Sequence, residues 1–329
     1  MFVAHTKRNH KITEKIQDNV NAMATDVKNL IHGRETYVVY YGNDFILKRP
    51  LPTLNDDKRA AWLAKQQKTK AAIDAIRAIE NPVYNVPAMV YIHDGEYQIL
   101  EERAHGEPLT AKLYASLTKP QQFKIINSIA SFLVDMNELK PIGDIQKYKI
   151  ANDIKFARLD KFIENKMSLW FTKSEVSTMA NIRDHIGTFE YETRLAWSHG
   201  DLNSGNVLYD AQNSKISFID FAEADYKFIY RDIFAPLQIE LDIYKRVYET
   251  YYQLHNKDLF PMLGPKNDAL REIMKYRVMA TCLRRFIKAS DDLRIKPMNS
   301  DSANNNLAKI SFMRQQIQTI VDLEHQFSK

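Results

Sequence analysis

Three oxygen-bearing side chains stand in a telling order in the second half of this 329-residue chain. Asp201 lies within Trp197-Ser198-His199-Gly200-Asp201-Leu202-Asn203-Ser204-Gly205-Asn206-Val207-Leu208. Asn206 follows it after four residues, and Asp220 closes the run Ile216-Ser217-Phe218-Ile219 just before Phe221. This set suits phosphoryl transfer, which asks little covalent help of a protein. It needs an acceptor hydroxyl held in line and the phosphate charge neutralised. Asp201 would accept or orient the hydroxyl proton. The Asn206 amide oxygen and the Asp220 carboxylate would hold Mg²⁺, a hard cation bound by few protein oxygens plus phosphate. Either fragment alone can fall in any loop or strand. In this order, with a short hairpin between them (207–209, turn 210–214, 215–219), they point to one site.

Elements that could position this site are legible upstream. Tyr37–Tyr41 and Asp44–Lys48 flank Gly42-Asn43 and read as a tight β-hairpin. Lys48 falls at the end of the second strand, and Ile46 shares its face because strand side chains alternate. The preceding turn, residues 31–36, holds a single glycine and is no G-x-G-x-x-G phosphate loop. Residues 11–31 read as helical or mixed. A long Ala-rich helix is expected over 57–79. A second hairpin, 89–92 with 97–100, turns at Asp94-Gly95. After Pro108 the chain reads as mostly helical, over 120–139, 155–163, 173–186, 236–255, 267–289 and 307–326. In the first of these, Phe123, Ile126, Ile129, Ala130, Leu133 and Met136 form a core stripe at helical spacing. Tyr244, Tyr248, Tyr251, Tyr252 and Tyr276 could line an acceptor pocket, though such a stripe is more often packing. Residues 299–306 form a polar, Asn- and Ser-rich stretch expected to be a loop.

The motif residues His199-Gly200-Asp201-Leu202-Asn203-Ser204-Gly205-Asn206 and Ile219-Asp220-Phe221 resemble the aminoglycoside phosphotransferase and choline kinase-like family. Ala222 stands where protein kinases carry Gly, and Gly200 where they usually carry Arg; both favour the small-molecule branch. The resemblance implies an α+β, bilobal, protein kinase-like fold. A small N-terminal β-sheet lobe with one long helix would occupy residues 1–103, and a larger, mainly helical lobe 104–329. It implies ATP and Mg²⁺ as cofactors and a small-molecule hydroxyl as acceptor. Lys48 would hold the nucleotide phosphates, with Ile46 packing near the adenine. The backbone of residues Glu101 to Arg103 would bond the adenine edge. Tyr230-Arg231-Asp232-Ile233 resembles the family's segment after the metal Asp, so that Asp232, with His199, would brace the catalytic loop.

One expected part is missing. The resemblance places a Glu on the long helix, near Gln66 or Gln67, to pair with Lys48. From 49 to 79 the carboxylates are Asp56, Asp57 and Asp74. Either a Gln hydrogen bond replaces the pair or another element supplies its acid. That gap keeps two alternatives open: a protein kinase-like enzyme, and a pseudokinase that binds nucleotide or a partner. Among acceptors, a polycation would call for an acidic cleft, for which Glu223, Asp225, Asp232, Glu240 and Asp242 are the candidates. A net charge of +5 leans instead toward a hydroxylated metabolite.

Composition excludes other classes. Hydrophobic residues at 45% and charged residues at 26% belong to an ordinary globular chain. The lone Cys282 rules out an internal disulfide and suits a reducing cytoplasm. No apolar run reaches the length of a membrane span. No dense Lys/Arg run marks a nucleic-acid arm. Nucleotide and a small hydroxylated substrate are therefore the expected partners, with neither nucleic acid nor membrane.

Overall fold

A computed structural model describes residues 30–32, 35–41, 43–139, 141–152, 154–165, 171–228, 232, 241–255, 311, 314 and 315. Of the segment 11–31 read as helical or mixed, only Leu30 and Ile31 are described, and they are strand; the helix over 267–289, the polar stretch 299–306 and nearly all of 307–326 lie outside the described residues. The chain divides into two compact units. One comprises residues 1–70 and 87–103, the other 71–86 and 104–329.

The first unit is built on a five-stranded antiparallel sheet of order β1-β2-β3-β5-β4. Its strands are β1 (Leu30–His32), β2 (Thr36–Tyr41), β3 (Phe45–Pro50), β4 (Met89–His93) and β5 (Gln98–Glu102). Both expected hairpins form. In the first, Tyr41 faces Phe45 across a three-residue turn. In the second, His93 pairs with Gln98, and the left-handed residue is Tyr97 (φ 53°). The turn containing Asp94-Gly95 is a four-residue loop over 94–97, one residue later than the connection read from sequence. Helix α1 (Asp56–Arg77) begins in this unit, with Asp56 and Asp57 in its first turn and Arg77 in its last, as the helix dipole favours. The Trp62 indole donates to Thr36 Oγ1 at 2.8 Å and ties α1 to β2.

The second unit holds helices α2 (Ala111–Ser116), α3 (Lys119–Glu138), α4 (Ile154–Asn165), α5 (Lys173–Gly187) and α6 (Leu241–Leu254). Its strands are β6 (Glu107–Pro108), β7 (Ile142–Lys149), β8 (Glu190–Ser198), β9 (Val207–Asp210), β10 (Lys215–Phe218) and β11 (Asp225–Phe228). They form two three-stranded sheets, β10-β9-β6 and β11-β8-β7. The second sheet corrects the mostly helical reading. β7 is exposed along almost its whole length, so it carries no buried alternation to betray it. Cross-strand ladders and pairs such as Lys149–Glu190 (2.7 Å) hold it instead.

Helix α3 buries Ile126, Ile129, Ala130, Leu133 and Met136 as expected. Phe123 does not join them: it is 63% exposed. Gln122 takes the inward place, and its Nε2 donates to the Tyr114 and Leu117 carbonyls at 2.9 and 3.2 Å. The carbonyls at the end of α2 need donors, and a Gln meets that need where a Phe cannot. Farther along, Phe132 stacks on Phe218 at 3.8 Å, with Tyr84 and Phe221 edge-on to Phe132. This aromatic cluster seats the end of β10 from which Asp220 departs. The tyrosine stripe resolves as packing at Tyr251. That side chain is buried, and its hydroxyl donates to Asn137 Oδ1 at 3.0 Å, while Asn137 Nδ2 donates to the Trp197 carbonyl at 2.8 Å. Tyr276 lies outside the described residues.

Candidate active site

The loop that leaves β8 is shaped by one buried carboxylate. Asp232 accepts from Ser198 Oγ at 2.7 Å, from the His199 amide, and from the Gly200 amide at 3.0 Å. Three consecutive residues thus point their donors at a single acid, a charge-assisted arrangement stronger than neutral bonds. Gly200 has φ +80°, and a Cβ there would run into the Glu223 carbonyl oxygen. This is why a glycine precedes Asp201 and no larger residue fits.

His199 is fully buried and joins both ends of the site. Its Nε2 lies 3.0 Å from the Ile219 carbonyl, which can only accept, so Nε2 carries the hydrogen. Its Nδ1 then accepts from the Asp201 amide at 3.4 Å. The ring rests against Phe221, 4.6 Å between centroids. The loop is closed by asparagines. Asn203 Nδ2 and Asn206 Nδ2 both donate to the Asp201 carbonyl, at 3.1 and 2.8 Å. The Asn206 carbonyl in turn accepts from the Ile219 amide at 3.0 Å. Asp201, Asn206 and the residue before Asp220 are therefore one hydrogen-bonded unit.

The residue types here suit a hard cation. A carbonyl acceptor fixes the Asn206 amide with nitrogen toward Asp201, which leaves its Oδ1 to face elsewhere. Asp220 is exposed and left-handed, at φ 61° and ψ 64°. A non-glycine residue pays roughly 1–2 kcal/mol for that backbone, a cost typical of functional positions. Among the described residues no cluster of three or more His, Cys, Asp or Glu could hold a metal ion. The set is two carboxylates and an amide, all oxygen donors. The hairpin between Asn206 and Asp220 forms as read, with Val207 opposite Phe218 and Asp210 opposite Lys215. Its loop is tied by Asp210, whose carboxyl the Asn213 side chain holds below its ordinary range.

Ser198 and Asn203 did not stand out in the sequence. Their signal was position alone: one directly precedes His199, and the other lies two residues past Asp201.

The first unit contains the other expected group. Lys48 Nζ lies 2.7 Å from Glu101 Oε2. The acid that α1 lacks is therefore supplied by strand β5. Register explains it: Lys48 faces Ile99 and Ile46 faces Glu101, so Glu101 is the diagonal neighbour of Lys48 on one face of the sheet. Gln67, one of the two helix positions considered for that acid, donates to Asp94 at 3.3 Å instead. The expected main-chain role of residues 101–103 is narrowed. The Glu102 amide bonds the Ala88 carbonyl at 2.8 Å and the Arg103 amide the Asp44 carbonyl at 2.7 Å, so neither is free to donate to a base. The Arg103 guanidinium lies over the Tyr40 ring, 4.4 Å from its centroid.

The sequence model of the phosphotransferase enzyme family matches residues 26–251. The chain belongs to that family. As a member it is a phosphotransferase of the small-molecule kinase type. Solved structures agree on the fold. The GDP and kanamycin complex of APH(2")-IIia aligns with a TM-score of 0.62 at 14% identity, over 91% of this chain and 99% of that one. A choline/ethanolamine kinase family protein from Mesorhizobium loti aligns with a TM-score of 0.51 at 10% identity, over 94% and 99% of the two chains. Macrolide 2'-phosphotransferase MphH from Brachybacterium faecium gives 0.50 at 13% identity, over 90% and 96%. At such identities the likeness establishes the α+β kinase-like fold. None of the curated proteins matches this phosphotransferase in sequence. Among its described residues no helix is long and apolar enough to cross a membrane.

Proposed function

We propose that this phosphotransferase moves the γ-phosphoryl group of ATP to a hydroxyl of a small, weakly charged molecule, with Asp201 taking or orienting the hydroxyl proton. What supports this is the link just described, in which Asn206 bonds the Asp201 carbonyl and receives the amide of Ile219, next to Asp220. His199 and Asp232 position that loop and do not touch substrate. Asn206 Oδ1 and the Asp220 carboxylate would hold Mg²⁺, which when bound neutralises phosphate charge. Lys48 would neutralise more of it. Ile46, on the same face as Lys48, offers apolar surface to a nucleobase, and the carbonyls of residues 101–103 its polar edge. The reducing cytoplasm is the proposed compartment, since it supplies ATP and suits a chain with one cysteine.

Kanamycin is bound in one related structure, but two of the candidate acids here are already engaged. Asp232 is buried and engaged by the loop, and Asp225 accepts from the neighbouring Tyr226 amide. Glu240 lies outside the described residues. A neutral or singly charged alcohol is the better match. The pseudokinase reading rested on a missing acid for Lys48, and Glu101 removes that support.

A coupled ADP-release screen of the full chain, with thermal shift alongside, tests the proposal. The panel would hold polyols, amino alcohols, sugars and aminoglycosides. A ligand at 100 times its Kd should stabilise by about 2.7 kcal/mol. A weakly charged alcohol should both shift the melt and release ADP. Turnover confined to aminoglycosides would overturn the acceptor class, and ATP binding without turnover across the panel would revive the pseudokinase.

A further inference from the structure

We propose that Glu101 is the positioning residue for Lys48, so that the lysine is held in place by the sheet itself and needs no acid from helix α1. The inference deepens the nucleotide role proposed for Lys48 and rests on it. Four observations converge. The pair is close, at 2.7 Å, and both side chains are withdrawn from water, Lys48 at 14% and Glu101 at 5% of full exposure. A buried acid of this kind is retained only with a partner. The two residues stand diagonally on adjacent strands, in a register fixed by the four pairs from Phe45↔Glu102 to Lys48↔Ile99. The buried positions of α1 offer no carboxylate: Gln66 is buried where an acid would be expected.

The mechanical consequence differs from that of a helix-borne acid. A helix can swing and carry its carboxylate away, which makes the lysine's position a switch. Two neighbouring strands in a continuous ladder cannot separate without unfolding the sheet. Lys48 is accordingly set from the moment the first unit folds, and no helix movement gates it.

The test compares MgATP with adenosine on the full-length chain. Adenosine lacks the phosphates, so a residue that acts through Lys48 affects ATP alone. Glu101→Gln should weaken MgATP binding about tenfold or more and leave adenosine affinity unchanged. Glu101→Asp, which keeps the charge but shortens its reach, should fall between that variant and the parent; it also serves if Glu101→Gln fails to fold. Lys48→Met with Glu101→Gln should bind MgATP no worse than Lys48→Met alone, because both changes remove one device. Equal loss of ATP and adenosine, an unchanged ATP affinity, or additive losses would each overturn the inference. The two levels separate cleanly. If Lys48→Met and Asp220→Ala impair ATP handling while Glu101→Gln does not, only the positioning role falls. If Lys48→Met leaves ATP handling intact, the proposed nucleotide role of Lys48 falls and takes this inference with it.

Discussion

The loop over 198–206 and the β3–β5 pair are built by opposite means. In the loop, amides that would enter a ladder in regular structure are met by side chains: those of His199 and Gly200 by Asp232, that of Asp201 by His199, and that of Gly205 by Asn203. Gly200, at positive φ, sets its shape, and Asp220, also at positive φ, follows the next hairpin. In the sheet, the backbone is extended and paired residue by residue, and one ion pair is laid on top. The loop concentrates its geometry in a few side chains, whereas the sheet spreads it over many backbone bonds. Removing a loop side chain that meets several donors should therefore cost local shape as well as stability, whereas in the sheet a broken ion pair should cost stability while the backbone ladder keeps its shape.

Asp220→Ala should show the largest effect. Its side chain is exposed, so the fold should survive, while turnover falls by roughly 10³-fold or more, because charge neutralisation dominates this reaction. Steady-state ADP release and a circular-dichroism melt measure the two separately. Asp232→Ala should lose both. Three loop donors would be left facing a void, at a stability cost of about 3 kcal/mol, with turnover reduced in parallel. A melt equal to the parent's would break the contrast drawn above. Lys48→Met leaves Glu101 buried without its cation and should destabilise by a comparable 3 kcal/mol or so. Adding Glu101→Gln should restore most of that stability but none of the ATP affinity, which chemical denaturation and nucleotide titration would show.

A smaller effect concerns the packing beneath the β9–β10 hairpin. The Tyr84 hydroxyl donates to Asp135 Oδ2 at 2.6 Å. Burial pushes both groups up, the Tyr84 hydroxyl far above its ordinary range and the Asp135 carboxyl above its own. Because Asp135 has a raised folded value, its own titration favours the folded state below the unfolded carboxylate range, near 3.9, and that contribution is lost as pH rises through the folded value. The Tyr84 hydrogen bond works the other way, stabilising the ionised carboxylate. Tyr84→Phe should therefore cost about 1–2 kcal/mol at neutral pH. The loss should shrink as pH falls through the raised Asp135 value, which paired melts across the acid range would reveal. Smallest of all, Phe123→Ser should change stability by no more than about 0.5 kcal/mol, since the ring is already in water.

The loop proposed to carry catalysis was legible as a candidate because its parts lie within a short span and their order follows from chemistry. The hairpin between Asn206 and Asp220 could be read before any coordinates, and it forms in register. Glu101 was visible as a residue but not as a partner. It lies 53 positions from Lys48, and only strand register, which no local pattern encodes, brings the two together. The β11-β8-β7 sheet escaped for a related reason. β7 buries too little to alternate, so nothing in its composition distinguishes it from a loop. Phe123 misled because helical period alone does not say which end of a helix must satisfy a neighbour's carbonyls.

Gly106 ties these observations to motion. A methyl group at this position would sit 2.6 Å from the Tyr209 backbone, so residues 106–108 and strand β9 touch with no room to slide. Because β9 starts at the residue after Asn206, displacing residues 106–108 would shift the backbone next to the amide proposed to hold the cation. An enlarged side chain at 106 would act as a wedge against β9 and, on the proposed reading, would loosen cation grip without itself being a ligand.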